Sequence, residues 1–147
     1  MEKIPILLYH MIDDEVEEDI AGIAIKKEHF RDQMYFLKES GFTVISLHDL
    51  GGSLQKREGK KIAITLDDGY EDNFRYAFPV LQECGFTATV FLTTDFIDDK
   101  NIYRAGKSAP DWKRSYLSWP QVRQMKHGGI AFGSHAKTHT PLDTLTQ

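Results

Sequence analysis

The sequence predicts an α/β domain built on a parallel sheet, laid flat or closed into a barrel. Three observations carry that expectation. Short apolar runs rich in strand formers alternate with longer segments whose apolar residues recur every three or four positions. Glycine-containing stops at Ser40-Gly41, Gly85 and Gly128-Gly129 close the periodic segments. Two apolar runs end in polar clusters, Asp67-Asp68-Gly69 and Ser134-His135-Ala136-Lys137-Thr138-His139. In a barrel of parallel strands, such strand ends converge on one mouth.

Each element follows from local pattern. Ile4–Tyr9 reads as a buried first strand ending at His10, and residues 11–25 as a surface loop crowded with Asp13, Asp14, Glu15, Glu17, Glu18 and Asp19. Lys26–Glu39 carries Phe30, Met34 and Leu37 at helical spacing, and Phe42–Leu47 is the second strand. Leu47, Leu50 and Leu54 suggest a short helix broken at Gly51-Gly52, before a basic stretch and a third strand, Lys61–Leu66. Phe74, Ala77, Phe78 and Leu81 give the next helix its apolar face, and Ala88–Leu92 is the fourth strand. Residues 93–117 form a long connection of the kind that often carries function. Ser118-Trp119-Pro120-Gln121 is a helix start, with Ser118 as cap, Pro120 in the first turn and Gln121 closing a capping box. Val122 and Met125 face inward, Ile130–Ser134 is the fifth strand, and Thr140-Pro141 opens a further helix. Five strands and an unfinished last helix predict an incomplete barrel.

Bulk properties narrow the function classes. A chain of 147 residues, 41% hydrophobic and 27% charged, is one domain able to bury a core. A net charge of −4, with no Lys/Arg stripe interleaved with aromatics, argues against nucleic acid as a partner. No apolar stretch approaches the roughly 20 residues of a membrane span. Met1-Glu2-Lys3 leads straight into Ile4–Leu8, too short for a secretory leader, so the sequence itself gives no address. The single cysteine, Cys84, excludes an internal disulfide and a cysteine zinc site, and reads as a packed thiol at a helix end.

The two polar clusters carry the chemistry. Alone, Asp-Asp-Gly after a strand is often only a turn, since Asp tolerates left-handed backbone and Gly supplies positive φ. A lone His-x-x-x-His pair is equally ordinary. Together, at two strand ends, they offer two carboxylates and two imidazoles. One carboxylate with two histidines is a recurring ligand set for a hydrolytic metal with open positions. The other aspartate is then left as a base. Residue spacing does not choose between Asp67 and Asp68.

These residues resemble the polysaccharide deacetylase family, the NodB-homology carbohydrate esterases. Thr65-Leu66-Asp67-Asp68-Gly69 resembles the family's Thr-Phe-Asp-Asp-Gly motif, with Leu for Phe. Ser134–His139 resembles its metal-binding His-Ser/Thr-x-x-His motif. Pro5–His10 and Leu117–Met125 are similar to segments of the branch that de-N-acetylates poly-N-acetylglucosamine. The resemblance implies a distorted (β/α) barrel, here 1–147 as its N-terminal portion, holding a divalent metal, commonly zinc. It implies Asp68, His135 and His139 as metal ligands, Asp67 as catalytic base, an N-acetylated polysaccharide as partner and a cell-envelope setting. His10, at a strand end facing the mouth, is a candidate substrate contact, against the plainer reading of a buried hydrogen-bonded histidine. His29, His48 and His127 read as surface or capping groups.

The family continues past its histidine motif with an Arg-containing motif, a tryptophan-lined wall and a late Leu-x-His whose histidine is the general acid. None of these precedes Gln147, so the 147-residue chain is expected to be weak or inactive alone. Two rival readings stand beside the enzyme. One is a non-catalytic relative that keeps the pocket to bind metal or carbohydrate. The other is a magnesium-dependent phosphoryl-transfer or receiver-like domain, which leaves His135 and His139 unexplained because magnesium prefers oxygen ligands. An open barrel also exposes sheet edges, so self-association is expected.

Overall fold

The computed structural model describes residues 3–14, 22–50, 59–98 and 115–144. Its main sheet has five strands, all parallel: β1 (Ile6–Tyr9), β4 (Thr43–Ile45), β5 (Lys61–Leu66), β6 (Thr89–Leu92) and β7 (Ala131–Ser134). β5 is the hub. β1 runs beside Ala63–Leu66, β4 beside Lys61–Ala63, and β6 beside Thr65–Leu66. β7 extends the sheet from β6. Among the described strands β1 and β7 do not pair, so the sheet stays open, as an incomplete barrel would.

All six residues of β5 are buried, which a central parallel strand requires and the run Lys-Ile-Ala-Ile-Thr-Leu supplies. Ile62, Ile64 and Leu66 point toward the helices and join Ala88, Val90, Leu92 and Ile130 in the main core. Helix α1 (Lys27–Glu39) inserts Phe30, Met34 and Leu37 into that core, and Phe30 meets Tyr9 edge-on at 5.1 Å. Helix α2 (Phe78–Cys84) buries Leu81 and Cys84 and ends at Gly85 in left-handed geometry, φ 70°. Helix α3 (Trp119–His127) buries Val122 and Met125. Its start is the expected capping box: Ser118 accepts from the Gln121 backbone N–H, and Gln121 accepts from that of Ser118 at 2.8 Å.

Several expectations change. The supposed loop 11–25 contains a second, two-stranded parallel ladder, β2 (Met11–Ile12) with β3 (Ala24–Ile25), and Met11 and Ile12 are fully buried. Asp13 and Asp14 pair with Lys27 at 3.6 and 3.3 Å, while Glu15, Glu17, Glu18 and Asp19 lie outside the described residues. β1 is only half buried: Ile6 and Leu8, on the face away from the helices, are 52% and 56% exposed. Of the short helix, the described residues show a 3₁₀ turn at Leu47–Asp49, while Gly51, Gly52 and Leu54 lie outside them. Residues 99–114 of the long connection are likewise outside. After Pro141 the described residues form a 3₁₀ turn, Leu142–Thr144, and residues 145–147 lie outside them.

The helix expected from Phe74 opens as a π turn, Asn73–Ala77, before becoming α2. Pro79 explains it. Proline has no N–H to return to the carbonyl four residues back, and its ring crowds that carbonyl, so the preceding turn widens. The Phe78 N–H reaches the Asn73 carbonyl instead, five residues back.

Candidate metal centre

The parallel topology brings four strand ends to one side of the sheet. His10 follows β1, Asp67 and Asp68 follow β5, Thr93 follows β6 and His135 follows β7. Two backbone bonds lock these ends together: the Asp67 N–H donates to the Tyr9 carbonyl at 2.9 Å, and the His135 N–H to the Leu92 carbonyl at 2.8 Å. Thr94 and Asp95 donate their N–H groups to the Ala136 and Lys137 carbonyls at 3.3 and 3.0 Å, tethering the histidine segment to the end of β6.

Asp68, His135 and His139 meet at one point. Asp68 Oδ1 is 3.3 Å from His135 Nε2 and 3.1 Å from His139 Nε2, and the two Nε2 atoms are 3.1 Å apart. Among the described residues, this is the group of His, Cys, Asp and Glu side chains whose ligand atoms all converge. Asp67, half buried, stands outside that group. The histidines are not on a helix, where a four-residue spacing would align them. They flank a bend in which Ala136 and His139 take φ of 64° and 56°.

The backbone pays a conformational strain here. Four described non-glycine residues have positive φ, and three of them are Asp68 (73°), Ala136 and His139. Left-handed backbone costs an L-residue about 1–2 kcal/mol, and such strain persists where the surrounding structure enforces it. The chain turns at Asp68, so the two neighbouring carboxylates are not related by the simple alternation of an extended strand. Gly69 continues the turn at φ 78°, and a Cβ there would meet Leu92 Cδ2 at 2.8 Å.

The three atoms form a triangle that fits a small cation. Zinc bonds of about 2.0–2.1 Å to nitrogen and carboxylate oxygen give a tetrahedral edge of about 3.3–3.4 Å. Asp68 Oδ1 is buried and accepts no hydrogen bond from a described residue, although both ring nitrogens are near. One proton cannot satisfy a carboxylate oxygen and two ring nitrogens that all point inward; a cation can. The Asp68 side chain is 10% exposed, but the imidazoles are 31% and 33% exposed, so the point of convergence opens to solvent.

Burial pushes the Asp67 carboxyl above the usual carboxylate range; His135 and His10 pull it back, and the Asp68 charge adds to the rise. The register explains why His10 acts on it. Tyr9 faces Leu66 across the β1–β5 ladder, so His10 and Asp67 are the next positions along. Tyr70 and Asn73 were not anticipated from sequence. Tyr70 is buried, stacks on Tyr116 at 5.1 Å, and bridges to it through the backbone. Burial pushes its phenol up, with Tyr116 and Asp68 adding to the effect. Asn73 is fully buried and binds the His10 carbonyl. The available signal was a polar residue in the buried stripe Asn73, Ala77, Leu81. His29, His48 and His127 are exposed, as expected of surface or capping groups.

Comparison with known proteins bears on the same residues. A sequence profile of the family described as Polysaccharide deacetylase matches residues 54–147, which include both polar clusters. YxkH of Bacillus subtilis (strain 168), which bears a polysaccharide deacetylase name, is 30% identical over 147 residues, 98% of this chain and 46% of its own length. The poly-beta-1,6-N-acetyl-D-glucosamine N-deacetylase of Escherichia coli (strain K12) is 26% identical over 126 residues, 80% of this chain and 18% of that protein. The solved structure of the Streptococcus pyogenes deacetylase PplD in complex with acetate superposes with a TM-score of 0.78 at 25% identity, covering 99% of this chain and 61% of that one. The chain thus spans less than half the length of either curated relative.

Proposed function

Because the chain belongs to the polysaccharide deacetylase family, we propose that it carries the metal-binding part of a de-N-acetylase acting on an N-acetylglucosamine-containing polysaccharide. On this reading residues 1–147 are one portion of such a domain. The observation that carries the reading is the triangle of Asp68 Oδ1, His135 Nε2 and His139 Nε2, with edges of 3.1 to 3.3 Å, its buried carboxylate oxygen having no hydrogen-bond partner among the described residues. The substrate class follows the E. coli relative's name, and the acetate in the PplD complex is the product such a reaction releases.

Asp68, His135 and His139 would hold a divalent ion, which we assign as zinc. When bound, such an ion polarises a carbonyl and acidifies water, which amide hydrolysis at neutral pH needs. The chain's own groups do the rest of the work available here. Asp67, outside the ligand triangle and beside it in sequence, takes the proton from the attacking water. His10, opposite Asp67 across the ladder, contacts substrate at the mouth. Asp68 would serve as the carboxylate ligand, with buried Tyr70 beside it. Protonating the leaving amine requires an acid, and its loss typically costs about 10²–10⁴ in rate.

The test pairs two substitutions. Metal content and acetate release from chito-oligosaccharides are measured on the same samples of Asp67→Asn and Asp68→Asn, in the longest version of the gene that expresses. Asp67→Asn is expected to keep the ion and lose about 10²–10⁴ in rate, and Asp68→Asn to lose both. The reverse pattern exchanges the two roles. Metal binding with no acetate release from any version favours the non-catalytic relative.

A further inference from the structure

We propose that Asn73 is a positioning residue that clamps the His10 carbonyl and thereby holds the His10 imidazole opposite Asp67. The inference deepens the deacetylase reading and rests on it for its kinetic arm alone.

His10 occupies a single-residue gap. β1 ends at Tyr9 and pairs only with β5 among the described strands; β2 begins at Met11 and pairs with β3 in a separate ladder. The last rung on one side is Asp67 N–H to Tyr9 carbonyl at 2.9 Å, and the first on the other is Met11 N–H to Ile23 carbonyl at 3.2 Å. Neither ladder fixes His10 itself. The Asn73 amide does: Nδ2 donates to the His10 carbonyl at 2.9 Å.

The orientation of that amide is determined by its surroundings. Nδ2 also donates to Asp72 Oδ1 at 2.7 Å. A flipped amide would set its oxygen against two acceptors, so the NH₂ must face them. The consequence is an Oδ1 that is buried with no partner among the described residues. A leucine of similar shape would fill the fully buried position without that penalty. What the asparagine adds is the donor pair. The wide turn at Asn73–Ala77 belongs to the same arrangement, since π turns relocate side chains at functional sites. Through Asn73 the helix that follows Asp67-Asp68-Gly69 grips the strand end facing Asp67, so both sides of that approach are set by one segment.

The test uses Asn73→Leu, with Asn73→Ala as the second variant should the first not fold. Histidine ring resonances are recorded by ¹H–¹³C NMR on metal-free protein, with the His10 signal identified by its loss in His10→Gln. The expected result is a displaced or broadened His10 signal, with those of His29, His48 and His127 unchanged. An unmoved His10 signal in a folded variant overturns the proposal. So does loss of cooperative folding in both variants, which would make Asn73 merely structural. The kinetic arm is a double-mutant cycle on acetate release. Asn73→Leu should lower kcat about 10-fold or more, as misplacement of an active-site group does, but less than about twofold in a His10→Ala background. Equal losses in both backgrounds overturn the proposal. If no version deacetylates, the deacetylase reading fails while the NMR arm still decides this one.

Discussion

Asp68 Oδ1 lies 3.1 Å from His139 Nε2, and both residues hold left-handed backbone, with φ of 73° and 56°. Two strained turns from distant parts of the chain thus place a carboxylate and an imidazole edge to edge. The third corner, His135, is the residue that directly follows β7.

The triangle is expected to need all three corners. His135→Ala, His139→Ala and Asp68→Ala should each abolish stoichiometric zinc retention after dialysis, measured by elemental analysis. In the unsubstituted chain, zinc at about 100 times its Kd should raise the unfolding free energy by about 2.7 kcal/mol. Retention should weaken as pH falls, because protonated imidazoles cannot coordinate. Unchanged zinc content in His135→Ala would refute the assignment.

Asp67 predicts a stability gain from a loss of function. Burial holds its folded pKa above the unfolded value. Such a group favours folding below the unfolded pKa, near 3.8, and that contribution is lost as pH rises through the folded pKa. At neutral pH the buried charge is therefore a net cost. Asp67→Asn should raise the Tm of metal-free protein at pH 7 and leave it little changed near pH 3. Equal Tm differences at both pH values would contradict the electrostatic account.

Glu71 predicts the opposite sign. Burial pushes its carboxyl up, but hydrogen bonds from Gln121 Nε2 at 3.0 Å and Arg75 Nη2 at 3.1 Å outweigh burial and lower its pKa. A depressed carboxylate contributes stability above its ordinary value of 4.5, and loses it as pH falls through the folded pKa. Glu71→Gln should lower Tm at pH 7, and the gap from the unsubstituted chain should close in more acidic solution. A gap that stays constant with pH would assign the effect to shape alone.

Close packing at Gly133 predicts sensitivity on the sheet's other face. A Cβ there would meet the Phe91 ring at 2.6 Å. Gly133→Ala should destabilise by about 1–3 kcal/mol, the usual cost of overfilling a packed site. Chemical denaturation measures it, and Gly133→Ala with Phe91→Leu should recover part of the loss. An additive double variant would mean the ring is free to move.

Ile6 and Leu8 predict self-association. They lie on one face of β1, about half exposed, beside a strand edge unpaired among the described residues. Light scattering at micromolar concentration should detect species larger than the 16.9 kDa monomer. Ile6→Lys with Leu8→Lys should shift the population toward monomer. A monodisperse, unsubstituted monomer would show that this edge is protected.

The sequence by itself determined what short range can encode. The burial of Phe30, Met34 and Leu37 follows from their helical spacing, the start of α3 from the Ser118–Gln121 capping box, and the end of α2 from Gly85. The full burial of β5 follows from its unbroken strand-forming run. The sequence also singled out Asp67, Asp68, His135 and His139, because strand ends in parallel folds collect polar groups in a common place, and three of these four converge in the structure. Tertiary structure decided the rest. It wound β2 against β3 in a stretch whose charges looked like a loop, because Met11 and Ile12 had a core to enter. It widened the turn ahead of Pro79 and thereby set Asn73 under His10. It also separated the two aspartates, placing Asp68 in the triangle and Asp67 beside it. No local rule distinguishes neighbours of the same type. The choice lies in a left-handed turn at Asp68, held by contacts with strands far away in the chain, and only the assembled sheet supplies those contacts.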